Sequence, residues 1–370
     1  MIYLDYAASS QKHFDIFKET IEEFENIYAN PSSNHSLGKK NKILLENSRK
    51  KIAESLGAES HEIIFLSGGT EANNTVFNHV ANKFKTGTIL ISEIEHSSTT
   101  KSAEILEKKG FKIIKIKVTK DGIIDIDDLK NKISNNIVLV SIMFANNETG
   151  VIQPVEEIGD LCLKNNVLFH CDIVQAYAKT EIDVKKFNID YASVSAHKIG
   201  ATNNFGFLYS KNLNITRFIV GGKQENELRS GSVDVISAVI LEKCLDRTIK
   251  SVPYLKELKF YFIEKLKSEK INFEINGDIN NSLPNILNIY FPNLEAQRLI
   301  TYLDINGIYI SGGSACNSGN IKGSEIIKAM FDEKRAENSV RISLGFKTTK
   351  EMIDFTVEKI KNLEKKIIER

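Results

Sequence analysis

Residues 63–74, IIFLSGGTEANN, contain a complete strand–turn–helix signal. Ile63–Leu66 is a four-residue apolar run without polar alternation, closed by Ser67-Gly68-Gly69-Thr70. A helical stretch follows from Glu71 to about Lys83. A strand that is apolar on both faces needs cover on both, as strands in a mostly parallel sheet between helix layers do.

The unit recurs downstream. Strands are expected at Thr88–Ile91, Ile113–Val118, Ile137–Met143, Val167–Cys171, Tyr191–Val194 and Phe205–Tyr209, with helical segments at about 98–109 and 154–165. Upstream, residues 2–6 are strand-like and 13–28 helical. Asn30-Pro31-Ser32-Ser33 interrupts, and an amphipathic helix runs from Ser36 to Leu56, ended by Gly57. The expected class is α/β, a mostly parallel seven-stranded sheet with helices on both faces. Ligands of such sheets gather where strands end and loops begin.

From Val233 the pattern changes. A long helical region reaches about Glu269, with an interruption expected near Pro253. Ile286–Tyr290, a helix at 294–306, Ile308–Ile310, a helix near 323–332, Val340–Ser343 and a charged helix from about Lys350 follow. These form a second, smaller α+β domain of roughly a hundred residues. The N-terminal strand could join either unit.

Composition narrows the function. Lys+Arg is 49 and Asp+Glu 48 over 370 residues, a net charge of +1, so neither nucleic acid nor a membrane surface is the expected partner. The apolar runs are strand-sized and MIYLDYAASS has no leader pattern, so a cytoplasmic location is expected. Cys162, Cys171, Cys244 and Cys316 show neither metal spacing nor a disulfide framework.

Several polar residues fall at strand ends. Tyr191–Gly200, YASVSAHKIG, is a short buried strand with a Ser195-Ala196-His197-Lys198 tip. Lys198 could be a solvated lysine or could carry a Schiff base to an aldehyde cofactor. Gly69 and Thr70 lie in a turn that suits an anion at a helix start, or is an ordinary N-capping turn. Asp172 ends the run VLFHCD and could pair with a protonated pyridine nitrogen, or turn the next segment. Gln175, three residues on, could donate to a ring oxygen. His96, in SEIEHSST, could stack on a flat cofactor or be a structural histidine. Asn147, in the string NNETG, could orient a substrate or belong to a turn. Arg341, in SVRISLG, could clamp an α-carboxylate or form an edge-strand ion pair. Cys316, in YISGGSACNSG, has the Gly/Ser-rich setting of a reactive thiol or is a spectator cysteine, whereas the other cysteines sit in segments that read as packed.

Taken together, YLDYAASS, NPSSNHSLG, FLSGGTEANN, EHSS, NNETGVIQPVEEI, HCDIVQAYAK, SAHKIG, GGKQENELRSGS, SGGSACNSG and SVRISLGFKTT resemble the cysteine desulfurases, a family of class V, fold-type I pyridoxal-phosphate enzymes. The resemblance covers nearly the whole chain. It implies a large domain over residues 16–245, which binds pyridoxal 5'-phosphate. Residues 1–15 and 246–370 would form the small domain, which carries the cysteine loop. It implies that Lys198 bears the cofactor, His96 stacks on its ring, Asp172 pairs with the ring nitrogen and Gln175 bonds the ring hydroxyl. Gly69, Thr70, Ser195 and His197 would hold the phosphate, with Ser232 reaching it from a partner subunit of a homodimer. Asn147 and Arg341 would hold the carboxylate of L-cysteine. Cys316 would accept sulfur as a persulfide, on a loop whose spacing is similar to the long-loop subgroup, and pass it to an acceptor protein for iron–sulfur assembly or tRNA thiolation. A selenocysteine lyase or aminotransferase of the same fold, and a noncatalytic scaffold, are the alternatives. The chain departs from the family pattern at Tyr6 (usually asparagine), Phe144 (commonly histidine), Ala201-Thr202-Asn203-Asn204 (commonly Gly-Pro-Lys-Gly), Lys223 (glycine), Asn226-Glu227 (Arg-Gly) and Ser232 (threonine).

Overall fold

The computed structural model describes residues 1–313 and 323–368; Cys316 lies outside the described residues. The chain opens with β1 (Ile2–Tyr3), α1 (Phe14–Phe24) and α2 (Ser36–Glu54). The strand–turn–helix unit quoted above becomes β2 (Ile63–Leu66) and α3 (Gly69–Phe84). There follow β3 (Thr88–Ser92), α4 (Ser97–Lys108), β4 (Lys112–Ile116), α5 (Ile126–Lys132), β5 (Ile137–Ser141), α6 (Val155–Lys164), β6 (Leu168–Asp172), β7 (Tyr191–Ser195) and β8 (Gly206–Ser210). The remainder comprises α7 (Val235–Ser268), β9 (Glu274–Ile275), β10 (Ile286–Tyr290), α8 (Ala296–Ile305), β11 (Ile308–Tyr309), α9 (Glu325–Met330), α10 (Glu333–Glu337), β12 (Ser339–Ser343) and α11 (Lys350–Ile368).

The large sheet has the order β2-β8-β7-β6-β5-β3-β4. Neighbours from β7 to β4 are parallel. β8 is antiparallel to both β2 and β7, and two reversals leave β2 running with the parallel set. Successive residues on each strand enter different cores. Ile63, Phe65, Leu90, Val140, Phe169 and Phe207 pack against α2, α6 and α7. Ile64, Leu66, Ile89, Ile91, Leu139 and Leu208 pack against α3 and α4. This alternation into two apolar layers is why the strands read as unbroken apolar runs.

The small domain is built on β12-β10-β9, whose interior residues Leu287, Ile289, Val340 and Ile342 join Leu299, Ile353 and Val357 in a core of their own. The N-terminal strand pairs in parallel with β11, and Asp5 bridges to Ser343. Helix α7 serves both cores: Val239 and Leu241 face the large one, Leu258 and Phe262 the small one.

Three expectations need correction. The helix does not break near Pro253 but runs through it. Proline removes the bond to the carbonyl four residues earlier, and here both Pro253 and Ile249 are on the exposed side, where that carbonyl is within reach of solvent. The helix near 323–332 is two short helices. Phe331 leaves helical conformation, and the Asp332 side chain caps α10 by accepting from the Arg335 N–H. Helix α5 was not expected; Asp125 caps it by accepting from Asp128 N–H. Among the described residues no helix is long and apolar enough to cross a membrane.

Candidate active site

A cavity of about 270 Å³ opens at the C-terminal ends of the parallel strands. Gly69, Thr70, His96, Asn147, Asp172, Gln175, Ser195, His197, Lys198 and Arg341 all line it. They come from the ends of β2, β3, β5, β6 and β7 and from β12, so the large sheet's parallel direction brings together all but Arg341, which the small domain supplies.

Lys198 sits in a 3₁₀ turn, Ala196–Ile199, ended by Gly200 in the left-handed region (φ 78°). A Cβ on Gly200 would approach the Gln11 carbonyl to 2.6 Å, so the turn needs glycine there. The Lys198 ammonium donates to the carbonyls of Ala7 (2.6 Å) and Ala8 (2.8 Å), which aim it across the cavity floor. His197 is half-buried near Lys198, Lys12 and Lys179. Burial first, and then these cations, pull its pKa down to about 4, so its ring is neutral.

Asp172 turns the next segment, the second of the two roles considered for it, and also reaches the cavity wall. Oδ1 accepts from the Val174 N–H (3.0 Å) and turns the chain, while Oδ2 accepts from Asn73 Nδ2 (2.9 Å) in the cavity wall. Asn73 also donates to Ser98 Oγ (2.8 Å), which lies 2.7 Å from His96 Nδ1. Burial lowers the His96 pKa, although Asp172 pulls it the other way. Gln175 Nε2 donates to the Ala7 carbonyl (2.9 Å), and its Oε1 is buried without a partner.

The string NNETG divides its labour. Asn146 Oδ1 accepts from the N–H groups of Glu148 (2.8 Å) and Thr149 (3.0 Å) and builds the turn. Asn147 faces the cavity with its Oδ1 buried and unpartnered. Arg341 Nη1 donates to the Asn147 carbonyl (3.0 Å), Nη2 pairs with Asp5 Oδ1 (2.7 Å), and Nε has no partner. Ser232 does not line this cavity; it is exposed, and its hydroxyl accepts from Asn30 Nδ2 (3.4 Å).

Comparison with known proteins places this geometry. The family model for "Aminotransferase class-V" matches residues 2–355. The chain belongs to the cysteine desulfurase family of class-V aminotransferases. It is 37% identical over 367 residues to the cysteine desulfurase IscS of Clostridium botulinum (strain Kyoto / Type A2), covering 96% of this chain and 92% of that protein. Among solved structures it is similar to a NifS-like protein (TM-score 0.90, 31% identity, 98% of each chain covered). It is also similar to the NifS-like protein from Rickettsia africae ESF-5 (TM-score 0.86, 32% identity, 99% of each chain).

Membership of this fold-type I family brings a pyridoxal-phosphate cofactor, and the residues present fit one. Gly68 and Gly69 open α3 at the cavity wall beside Thr70, Ser195 and His197, and the first N–H groups of a helix suit an anion. A Cβ on Gly69 would meet the Val174 side chain at 2.7 Å. Gly206 in β8 lets Gly68 approach: a Cβ there would be 2.7 Å from the Gly68 Cα and 2.2 Å from the Val194 carbonyl. The oxygens of Gln175 and Asn147 are buried acceptors with no partner among the described residues, open to a donor from a bound group.

The family pattern also explains the unusual loop at 201–204. Asn204, where the family commonly has glycine, adopts φ 54°, and asparagine tolerates that conformation. Lys12 reaches in to Asn203 Oδ1 (2.7 Å) and to the Ala201 carbonyl. Burial pushes up the thiol pKa values of Cys162, Cys171 and Cys244, so none of these presents a thiolate. The residues flanking the undescribed segment meet near Asn147. A Cβ on Gly313 would be 3.5 Å from both Glu148 Oε2 and the Ser324 Cβ, and the Ser324 hydroxyl donates to Glu148. Sequence reasoning missed Asn73, Ser98, Asp5 and the carbonyls of Ala7 and Ala8. Asn73 and Asp5 do lie inside the quoted motifs FLSGGTEANN and YLDYAASS.

Proposed function

We propose that the chain is a pyridoxal-phosphate-dependent cysteine desulfurase, converting L-cysteine to L-alanine and taking the sulfur onto Cys316 as a persulfide for an acceptor protein. The observation that carries this reading is the convergence on one cavity of a lysine amine, a carboxylate, two unpartnered amide oxygens and a buried guanidinium. When bound, the cofactor would act as an electron sink for a substrate carbanion.

The remaining work falls to the chain. Lys198 holds the cofactor and, once displaced by substrate, moves the α-proton at its Nζ. Asp172 keeps the ring nitrogen protonated, and Gln175 meets the ring hydroxyl. Gly69, Thr70, Ser195 and His197 receive the phosphate, joined by Ser232 of a second subunit. Asn147, through its amide Nδ2, and the Arg341 Nε donate to the substrate carboxylate. Neutral His96 covers the ring and excludes water from that face. Cys316 attacks the substrate sulfur as thiolate: an S–S bond forms, the substrate C–S bond breaks, and the electron pair left on carbon is protonated. The sum is Cys316 thiol plus L-cysteine giving Cys316 persulfide plus L-alanine, with no external oxidant or reductant.

The test combines cofactor uptake with sulfur transfer. The purified chain should take up pyridoxal phosphate with a visible absorption band and release alanine from L-cysteine. Lys198→Ala should lose the band. Cys316→Ala should keep it and form no protein persulfide from labelled cysteine. Persulfide at the parental rate in Cys316→Ala would remove that residue from the scheme. A keto-acid product would favour an aminotransferase, faster alanine release from selenocysteine a lyase, and a colourless protein the noncatalytic alternative.

A further inference from the structure

We propose that Asn73 and Ser98 are positioning residues that tie the Asp172 carboxylate to the His96 ring and hold that ring as its Nε2–H tautomer. The inference rests on the cofactor reading above but concerns side chains that reading does not use.

The direction of each hydrogen bond follows from what each group can do. A carboxylate only accepts, so the nitrogen of the Asn73 amide, not its oxygen, faces Asp172 Oδ2 (2.9 Å). The same nitrogen gives its second N–H to Ser98 Oγ (2.8 Å). With that oxygen accepting, the single Ser98 hydroxyl proton is directed to His96 Nδ1, 2.7 Å away. The Ser98 backbone N–H also points at Nδ1 (3.2 Å), as the helix α4 cap requires. A nitrogen facing two donors carries no proton. The ring's one proton is therefore on Nε2.

Asn73 makes this link at a cost. It is fully buried, both of its donors are used, and its Oδ1 has no partner. Amides kept only for packing are seldom left half-satisfied. The charged and titratable groups around the ring are Asp172 from β6, His197 and Lys198 from the turn after β7, and Arg341 from β12; Glu95 precedes it in the chain. Asp172 favours a second proton on His96, whereas burial and Lys198 oppose it. The two donors at Nδ1 add to the opposition, because an imidazolium would place a third hydrogen against them. His96 can then donate from Nε2, and Asp172 stays tied to the wall that orients the ring.

Long-range nitrogen–proton NMR of the chain labelled with ¹⁵N-histidine reads the tautomer directly, with the His96 signals assigned by their loss in His96→Gln. Wild type should show an unprotonated Nδ1 and a protonated Nε2. Ser98→Ala should raise the His96 titration midpoint by about one pH unit, and Ser98→Thr should restore it. Asn73→Asp has the same shape but cannot donate. It should turn the Ser98 hydroxyl away from His96, add negative charge, and raise the midpoint further. A protonated Nδ1 in wild type, or midpoints unchanged in both Ser98→Ala and Asn73→Asp, would overturn the proposal. Uptake of pyridoxal phosphate by the wild-type chain is read separately by its visible band. A chain that fails to bind it defeats the cofactor reading and leaves the tautomer measurement to decide this one.

Discussion

Single residues carry more than one duty in this site, and Arg341 shows it most directly. Its guanidinium spans Asp5 and Asn147 while keeping Nε unpartnered. Arg341→Lys keeps a charge but cannot hold both neighbours and still offer a donor to a carboxylate. The KM for L-cysteine should rise about tenfold or more with a smaller change in kcat, measured by alanine release. Glu95 makes a different prediction. It is buried; its Oε1 accepts from Ser92 Oγ (2.5 Å) and Met143 N–H (2.8 Å), and its Oε2 has no partner. Burial lifts its pKa to about 8 from an ordinary 4.5, despite those two bonds. Between these values the folded chain keeps a proton that the unfolded chain releases, so this residue's contribution to stability falls as pH rises through the window. Glu95→Gln cannot ionise, so its stability relative to wild type should grow up to about pH 8 and then level, as urea unfolding across the window would show. Residues like Asp172 and Lys198 were legible because they punctuate apolar runs. Asn73 and Ser98 were not, because polar residues in a helix's first turns look like ordinary caps and only the fold shows that they face each other.

At the scale of elements, the sheet was readable because its strands feed two cores and so lack polar alternation. Helix α5 was not, since seven residues give too little periodicity and only its Asp125 cap marks it. The course of α7 through Pro253 depended on which side faces water, which the sequence does not state. The loop after β8 is a further case, because a long-range contact sets its shape. Glu225, Asn226 and Glu227 lie consecutively in the left-handed region (φ 48°, 53° and 65°), which asparagine tolerates but which strains the two glutamates. Arg49 from α2 pins them: Nη1 and Nη2 bind the two Glu225 oxygens at 2.7 and 2.8 Å, and the Phe65 N–H of β2 donates to Glu225 Oε2 at 2.7 Å. The guanidinium also lies 4.4 Å from the Phe65 ring centroid. Arg49→Met leaves Glu225 buried without its partner and should destabilise the chain by about 3–5 kcal/mol in denaturant unfolding. Adding Glu225→Met should recover much of that loss, since the cost is an uncompensated charge and not the missing pair itself.

For the whole molecule, the N-terminal segment joins the two cores at the site. Ser343 N–H donates to the Leu4 carbonyl, Ala7 N–H donates to Ser343 Oγ, and the Ala7 carbonyl in turn accepts from Lys198 and Gln175. A continuous hydrogen-bonded path thereby runs from the small domain to the amine. One face remains open in the single chain. Phe218, Ile219 and Val220 are consecutive apolar residues with 47%, 37% and 75% of their surface exposed, and the same loop leads to exposed Ser232. Apolar runs exposed in this way mark interaction surfaces, and the proposed homodimer would cover them while bringing Ser232 to the partner's phosphate cradle. Sedimentation should therefore show two chains for wild type and one for Val220→Glu, with cofactor affinity falling in the variant. Ser232→Ala should weaken cofactor binding by about tenfold without dissociating the dimer, since it removes a hydrogen bond to a charged group and no apolar contact. A wild-type chain that sediments as a monomer at every concentration, yet binds pyridoxal phosphate as tightly as Ser232→Ala does, would show that each cavity is complete within one subunit.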